Sequence, residues 1–341
     1  MEFSYTPIAA SNDVAGAFRT ENSALPARAT LQLSVVIPCY NEQEVLHELH
    51  RRLMPVCAAV AGAAYEVILI DDGSRDTTWG LIAALAQTDS RIVGVRLSRN
   101  HGHQLALSAG LALALGERIL VLDADLQDPP ELLPDMLKLM EQEAAEVVYG
   151  RRGERLGETW FKRKSSAAFY RLLSRLAETP IPQDAGDFRL MTRRVVTLLN
   201  DMPEQYRFIR GLVSWVGFKQ IPFVYQRKER FAGVTKYPLR KMLRFAIDAI
   251  TSFSIRPLRL AGMLGMAVAA VGVCALIYAV FRLVRGETVP GWTSIVVATS
   301  LFSSVQLIVL GIMGEYLGRL YIESKRRPMF IIDQVIRHPQ A

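Results

Sequence analysis

Apolar runs alternate with helical patterns along the first half of the chain. LQLSVVI from Leu31, YEVILID from Tyr65, RIVGVRL from Arg91 and RILVLD from Arg118 read as buried strands, and EVVYG from Glu146 reads as one more. Helical spacing of apolar residues recurs between them, around Glu42 to Ala61, Thr77 to Ala86 and Gln104 to Leu115. That rhythm predicts an α/β domain built on a mostly parallel sheet. Ligands of such sheets bind beyond the carboxyl ends of the strands. The polar residues gather there, at Pro38 to Glu42, Asp71 to Ser74 and Asp123 to Asp128.

The pattern changes near the C-terminus. Leu260 to Phe281 carries no charge, and about 20 such residues at 1.5 Å rise cross a hydrocarbon core of about 30 Å. A second uncharged stretch, Thr288 to Gly314, is more polar but keeps apolar blocks at Ile295 to Val297 and Leu307 to Ile312. The short Arg282 to Glu287 connection makes the pair a predicted helical hairpin, and Gly314 and Gly318 suit close helix packing. Nine Lys/Arg fall between Arg227 and Arg259 and five follow Glu315, against only Arg282 and Arg285 in the loop. Both flanks are therefore expected on the cytoplasmic side. Before the first span, Leu239, Met242, Leu243, Ala246, Ile247, Ile250 and Phe253 recur at helical spacing beside Arg240, Lys241 and Arg244. They predict a helix lying on an anionic membrane surface or packed on the domain. Met1 to Thr30 lacks the apolar stretch of a signal peptide and reads as a flexible extension.

Composition agrees with a membrane partner. Half of the 341 residues are apolar while the net charge is +7, an unusual pairing for a soluble enzyme. Disorder and collagen are excluded, and Cys39, Cys57 and Cys274 form neither a disulfide framework nor a CxxC metal clip.

No GxGxxG follows a predicted strand and no GxxxxGK[ST] is present, so a phosphate would need another device than a glycine cradle. Asp123 and Asp125, at alternate positions past ILVL, can converge on one hard cation, with Gln127 adding an oxygen. The plainer account makes these soluble loop residues, with Asp128 capping a helix that starts at Pro129 and Pro130. Asp71 and Asp72 in DDGS likewise fit turn chemistry as well as binding. His101 and His103 in NHGHQ have no companion at zinc-ligand spacing and are expected to line a loop or begin the Gln104 helix.

SVVIPCYNEQE, VILIDDGSRDTTW, LSRNHGHQLALSAG and VLDADLQDPPE, in this order, resemble the family 2 glycosyltransferases of GT-A fold. GRRGER, DAGDFRLM, RFAGVTKYPLRK and the closing GEYLGRLYIESKRRP narrow the resemblance to the polyprenyl-phosphate glycosyltransferases, relatives of dolichyl-phosphate mannose synthase. The likeness runs from about Leu33 to Ile332. It implies that Pro38, Tyr40, Asn41 and Glu42 contact a nucleoside and that Asp71 and Asp72 hold its base or ribose. Asp123, Asp125 and Gln127 match the segment that binds Mg2+ or Mn2+ and the diphosphate. Arg230 and Lys236 match a basic pair closing over the donor diphosphate, and Arg152 and Arg163 match cationic positions for an acceptor phosphate. Asp187 matches a carboxylate near the sugar, either a general base or an orienting group.

The expected fold is thus a Rossmann-like GT-A domain with a C-terminal membrane hairpin. Its order is an extension over 1–30, the catalytic domain over 31–237, an interfacial amphipathic helix over 238–256, the hairpin over 257–321 and a cytoplasmic tail over 322–341. The expected activity is inverting transfer of one sugar from a nucleotide sugar, a uridine nucleotide by preference, to a polyprenyl phosphate such as undecaprenyl phosphate. The expected place is the cytoplasmic face of a bacterial inner membrane, with both termini cytoplasmic. Partners are the two substrates and the membrane, with homo-oligomerisation left open and nucleic acid not expected. A processive polysaccharide synthase shares the fold, but QxxRW is absent and two spans form no obvious polymer channel. A catalytically silent membrane subunit is the other alternative, and the complete acidic and basic motifs argue against it.

Overall fold

The computed structural model describes residues 31–152, 185–226, 256–286 and 291–338. Among them one compact unit holds 31–152, 185–226 and 327–338, and a second holds 256–286 and 291–326.

The first unit is an eight-stranded sheet with helices. Its strands are β1 (Leu33–Cys39), β2 (Tyr65–Asp71), β3 (Ile92–Leu97), β4 (Arg118–Val121), β5 (Val147–Arg152), β6 (Ala185–Thr192), β7 (Gln220–Tyr225) and β8 (Ile332–Ile336). They lie in the order β7-β5-β6-β4-β1-β2-β3-β8. The four strands read from the sequence, β4, β1, β2 and β3, are mutually parallel and form the centre, while β6 and β8 run antiparallel to their neighbours. This is the Rossmann-like GT-A arrangement implied by the resemblance. Helices α1 (Leu46–Ala61), α2 (Thr78–Thr88) and α3 (His103–Leu113) follow β1, β2 and β3, matching the expected helices within a few residues.

Every residue of β1 and β2 is buried, which explains why both read as continuous apolar runs instead of alternating ones. Helix α3 sits unusually close to this centre. A Cβ at Gly110 would stand 2.6 Å from Ile70 Cδ1 and nearer still to Val36, so only glycine lets the helix backbone rest on the sheet there. After β4 come a short 3-10 turn (Pro130–Leu132) and α4 (Leu133–Gln142), and α5 (Arg193–Asp201) and α6 (Ile209–Val216) follow β6.

The C-terminal segment departs from the sequence reading. Read as a tail over 322–341, it instead supplies β8, with Gly94 opposite Ile336 and Val95 opposite Val335. The Ser98 N–H donates to the Ile331 carbonyl at 2.9 Å just beyond the ladder. A further tie lies behind the sheet. Glu66 is 4% exposed and accepts from the Ser34 hydroxyl at 2.7 Å, the Leu115 N–H at 2.7 Å and Arg337 Nη2 at 2.9 Å. The strand covers the otherwise open edge of β3, and Arg337 satisfies a buried carboxylate.

The second unit contains α7 (Arg256–Val284, 29 residues) and α8 (Trp292–Ser324, 33 residues), which lie against each other. Both are long and apolar enough to cross a membrane, and their large apolar side chains point outward, Met266 being 72% exposed and Val284 82%. Exposed methyl and thioether surface on this scale needs an apolar medium, so the two helices fit a membrane hairpin. The expected extension and nearly all of the expected interfacial helix lie outside the described residues.

Candidate active site

The carboxyl ends of β1, β2 and β4 and the start of α3 converge on one rim. At the end of β1, Pro38 is buried opposite Ile70, beyond the last rung to β4, which joins Val36 to Val121. Tyr40 follows with 38% of its surface exposed. Asn41 adopts a positive φ of 55°, a conformation asparagine tolerates better than most side chains. Its N–H donates to Ser74 Oγ at 3.0 Å, its Oδ1 accepts from the Arg75 N–H at 2.9 Å, and the Glu42 N–H donates to Thr78 Oγ1 at 2.9 Å. The first two rim loops are therefore laced together through backbone amides.

Asp71 and Asp72 differ in what holds them. Asp71 is fully buried, accepts from the Ser74 N–H at 3.2 Å through Oδ1, and has no hydrogen-bond partner on Oδ2. Burial pushes its carboxyl above the usual carboxylate range, against the pull of Ser74. Asp72 instead accepts from the His101 N–H at 2.7 Å and the Gly102 N–H at 2.9 Å, one on each oxygen. It anchors the loop that leads into α3. Gly73 makes this possible, because a Cβ there would lie 2.6 Å from the Asn100 nitrogen and its φ is +66°.

Asp123 and Asp125 lie past the end of β4. The Gln127 N–H donates to Asp125 Oδ1 at 3.1 Å, closing an Asx turn over Leu126. Leu126 takes a positive φ of 57° with its side chain 2% exposed, a conformation costing about 1–2 kcal/mol for a residue without a local polar anchor. Core burial of Leu126 imposes this turn. Asp123 Oδ1 is buried without a hydrogen-bond partner, 3.6 Å from His103 Nε2. Burial first, then the charges of Asp187, Asp128 and Asp125, raise the Asp123 pKa to about 6 despite His103. The expected helix cap by Asp128 is not formed. Pro129 precedes the turn without a side-chain cap bond, and the fully buried Asp128 accepts from the Tyr225 hydroxyl at the end of β7.

Asp187, third residue of β6, joins this rim from the antiparallel side of the sheet. Arg210 Nε and Nη2 fork onto its two oxygens at 2.8 and 3.0 Å, and His103 Nε2 stands 3.1 Å from Oδ2. Burial opposes its charge, yet the Arg210 guanidinium and the His103 contact hold its carboxyl well below the usual range. His103 is pushed down by burial too, but Asp187 and Asp123 outweigh that and raise it to about 9. His103, Asp123 and Asp187 form a group whose ligand atoms all lie within 4.8 Å of one another, close enough to hold a metal ion.

The structure thus brings together Tyr40, Asn41, Glu42, Asp71, Asp72, Asp123, Asp125, Gln127 and Asp187 on one unit, as a common site requires. Arg152 ends β5, while Arg163, Arg230 and Lys236 lie outside the described residues. Sequence reasoning missed His103 as a member of the cluster and Arg210 altogether. His103 carried a weak signal, since it opens a helix just past the end of a parallel strand. Arg210 had none, because it meets Asp187 across 23 residues of chain with no motif between them.

Comparison with known proteins agrees with this architecture. Residues 34–199 match the model of "Glycosyl transferase family 2". The chain is 45% identical over 305 residues to the "Uncharacterized glycosyltransferase YkcC" of Bacillus subtilis, covering 89% of this chain and 94% of that one. It is 38% identical to the "Prophage bactoprenol glucosyl transferase homolog" of Escherichia coli, covering 89% and 99%. It is 37% identical to the "Bactoprenol glucosyl transferase" of Shigella phage SfV, covering 89% and 98%. The acidic rim, the parallel sheet beneath it and likeness along nearly the full length of these relatives place the chain in glycosyltransferase family 2.

Proposed function

We propose that the protein transfers a single hexose unit, with inversion, from a uridine diphosphate sugar to a polyprenyl phosphate at the cytoplasmic face of a bacterial inner membrane. The observation that carries this reading is a pair of buried carboxylate oxygens on the rim that accept no hydrogen bond, Asp71 Oδ2 and Asp123 Oδ1, the latter with only the His103 ion pair at 3.6 Å, in a chain with two membrane-length apolar helices. A buried acceptor without a hydrogen bond is costly, so each oxygen suits a ligand's donor or a cation. The relatives named for bactoprenol support the lipid acceptor.

Asp71 Oδ2 suits an N–H or O–H of the nucleoside, and the exposed Tyr40 ring suits a face of its base. The oxygen-rich segment at Asp123, Asp125 and Gln127 fits Mg2+ or Mn2+, hard cations that take oxygen ligands. Such a cation, when bound, offsets the charge that gathers on the departing nucleoside diphosphate. Arg230 and Lys236 add positive charge to the same leaving group, and Arg152 and Arg163 receive the acceptor phosphate. An acceptor oxygen attacks the anomeric carbon from the face opposite the diphosphate; that new C–O bond forms as the bond to the diphosphate breaks, and the nucleotide leaves. A phosphate monoester has a second pKa near 6, so the acceptor reaches the site largely ionised and needs no strong base.

The test is incubation of membranes holding the chain with radiolabelled UDP-hexoses and undecaprenyl phosphate, in Mg2+ or Mn2+. Label extracted into chloroform with one donor supports the reading. Its absence with every donor rejects it.

A further inference from the structure

Asp187 is more crowded than a proton acceptor should be. Its side chain is 4% exposed, and its two oxygens receive Arg210 Nε at 2.8 Å, Arg210 Nη2 at 3.0 Å, His103 Nε2 at 3.1 Å and Gln104 Nε2 at 3.4 Å. Three of those four contacts fall on Oδ2. A carboxylate offers about four lone-pair sites, so little remains for a substrate proton. The pair neutralises a buried charge and also fixes its direction, because two guanidinium nitrogens contact the two carboxylate oxygens. Arg189, 3% exposed, already lies beside Asp187 and braces this strand, donating to the Gly186 carbonyl at 2.9 Å and the Asp187 carbonyl at 3.3 Å. Arg210 comes from the first turn of α6, with 30% of its side chain exposed. That turn is itself fixed to the site, since the Ile209 N–H donates to Gln104 Oε1 at 2.9 Å.

We propose that Arg210 is a positioning residue for sugar transfer: its planar fork fixes the Asp187 carboxylate, and through it the His103 imidazole, at the edge of the Asp123 segment. The proposal rests on the transfer reading above and deepens it. A two-pronged guanidinium contact sets the plane of a carboxylate, which a single ammonium cannot do. With Asp187 so held, its role is to aim His103, whose side chain is 40% exposed and reaches toward Asp123. Asp187 then orients the cluster instead of taking a proton from the acceptor.

The experiment compares wild type, Arg210→Ala and Arg210→Lys in the lipid-transfer assay, with kcat and donor KM separated. Misplacement of a positioned group by about 1 Å can lower turnover on the order of 100-fold. Arg210→Ala should lose about that much kcat with donor KM within about threefold, and added guanidinium chloride should restore at least about tenfold of it. Arg210→Lys, which keeps the charge and loses the fork, should fold as wild type and still lose roughly tenfold or more in kcat. If Arg210→Ala does not fold, Arg210→Lys decides the matter. Wild-type turnover in Arg210→Lys, a defect confined to KM, or a folded Arg210→Ala that guanidinium does not rescue overturns the proposal alone. A wild-type chain that makes no lipid-linked product overturns the transfer reading and the positioning role with it.

Discussion

Replacing Asp72 by Asn separates two roles that the sequence leaves joined. The carboxylate is 3% exposed, and its oxygens take the His101 N–H at 2.7 Å and the Gly102 N–H at 2.9 Å. Hydrogen bonds to a charged acceptor contribute about 1.5–3 kcal/mol each, and a buried donor left unpaired costs about 1–3 kcal/mol. Asparagine keeps one acceptor and turns an NH2 toward the other N–H. The expected loss is therefore about 2–3 kcal/mol, which for a domain of this size corresponds to a fall of about 4–12 °C in apparent Tm. His103 follows Gly102 directly, so the loosened loop should also release the imidazole from Asp187 and lower kcat roughly tenfold or more. Donor KM should stay within about threefold if, as proposed, the nucleoside meets Asp71 Oδ2, which accepts no hydrogen bond, while both oxygens of Asp72 are taken by amides. Thermal unfolding of the detergent-solubilised protein and steady-state kinetics measure both quantities. An unchanged Tm together with a much larger donor KM would refute the reasoning and return Asp72 to the nucleotide.

Asp123→Asn should remove the thermal stabilisation that Mn2+ with UDP gives the wild type and lower transfer by about 100-fold or more; a variant that Mn2+ and UDP still stabilise refutes the cation role. Folding raises the His103 pKa from 6.5 to about 9, so its contribution to stability is complete below pH 6.5 and is lost as pH rises through about 9. Apparent Tm should accordingly decline over that window in the wild type and stay flatter in His103→Gln; parallel curves would show that the histidine is not held by Asp187 and Asp123. Deleting residues 329–341 should uncover the β3 edge and strip Arg337 from Glu66, giving a chain that aggregates on size-exclusion chromatography, whereas a monodisperse deletion with wild-type Tm would show that β8 is dispensable.

Much of this molecule is written locally. The strands at Leu33, Tyr65, Ile92 and Arg118 are legible because a strand buried on both faces must be a continuous apolar run, and the polar residues at their ends mark the rim that a parallel sheet opens to ligands. The two membrane-length apolar helices are legible because a bilayer excludes charge over a fixed length. Chemical identity also travels with the sequence, so an acidic pair after a buried strand already suggests a cation, and the order of motifs already suggests the family.

What only the tertiary structure decided is which distant groups meet. His103 reaches Asp187 across 84 residues, Tyr225 reaches Asp128 across 97, and Arg337 reaches Glu66 across 271. None of these pairings leaves a periodicity or spacing in the chain, since each depends on sheet order and on the directions in which helices leave it. The same limit explains the tail that became β8, where five residues carry too little pattern to announce a strand until the open edge of β3 offers them hydrogen bonds. It also explains the anchoring contacts of Asp72, which accepts from two amides at the head of α3 that no spacing in the chain announces. Local physics selects the elements and the chemistry at their ends; only their packing settles which charges confront one another.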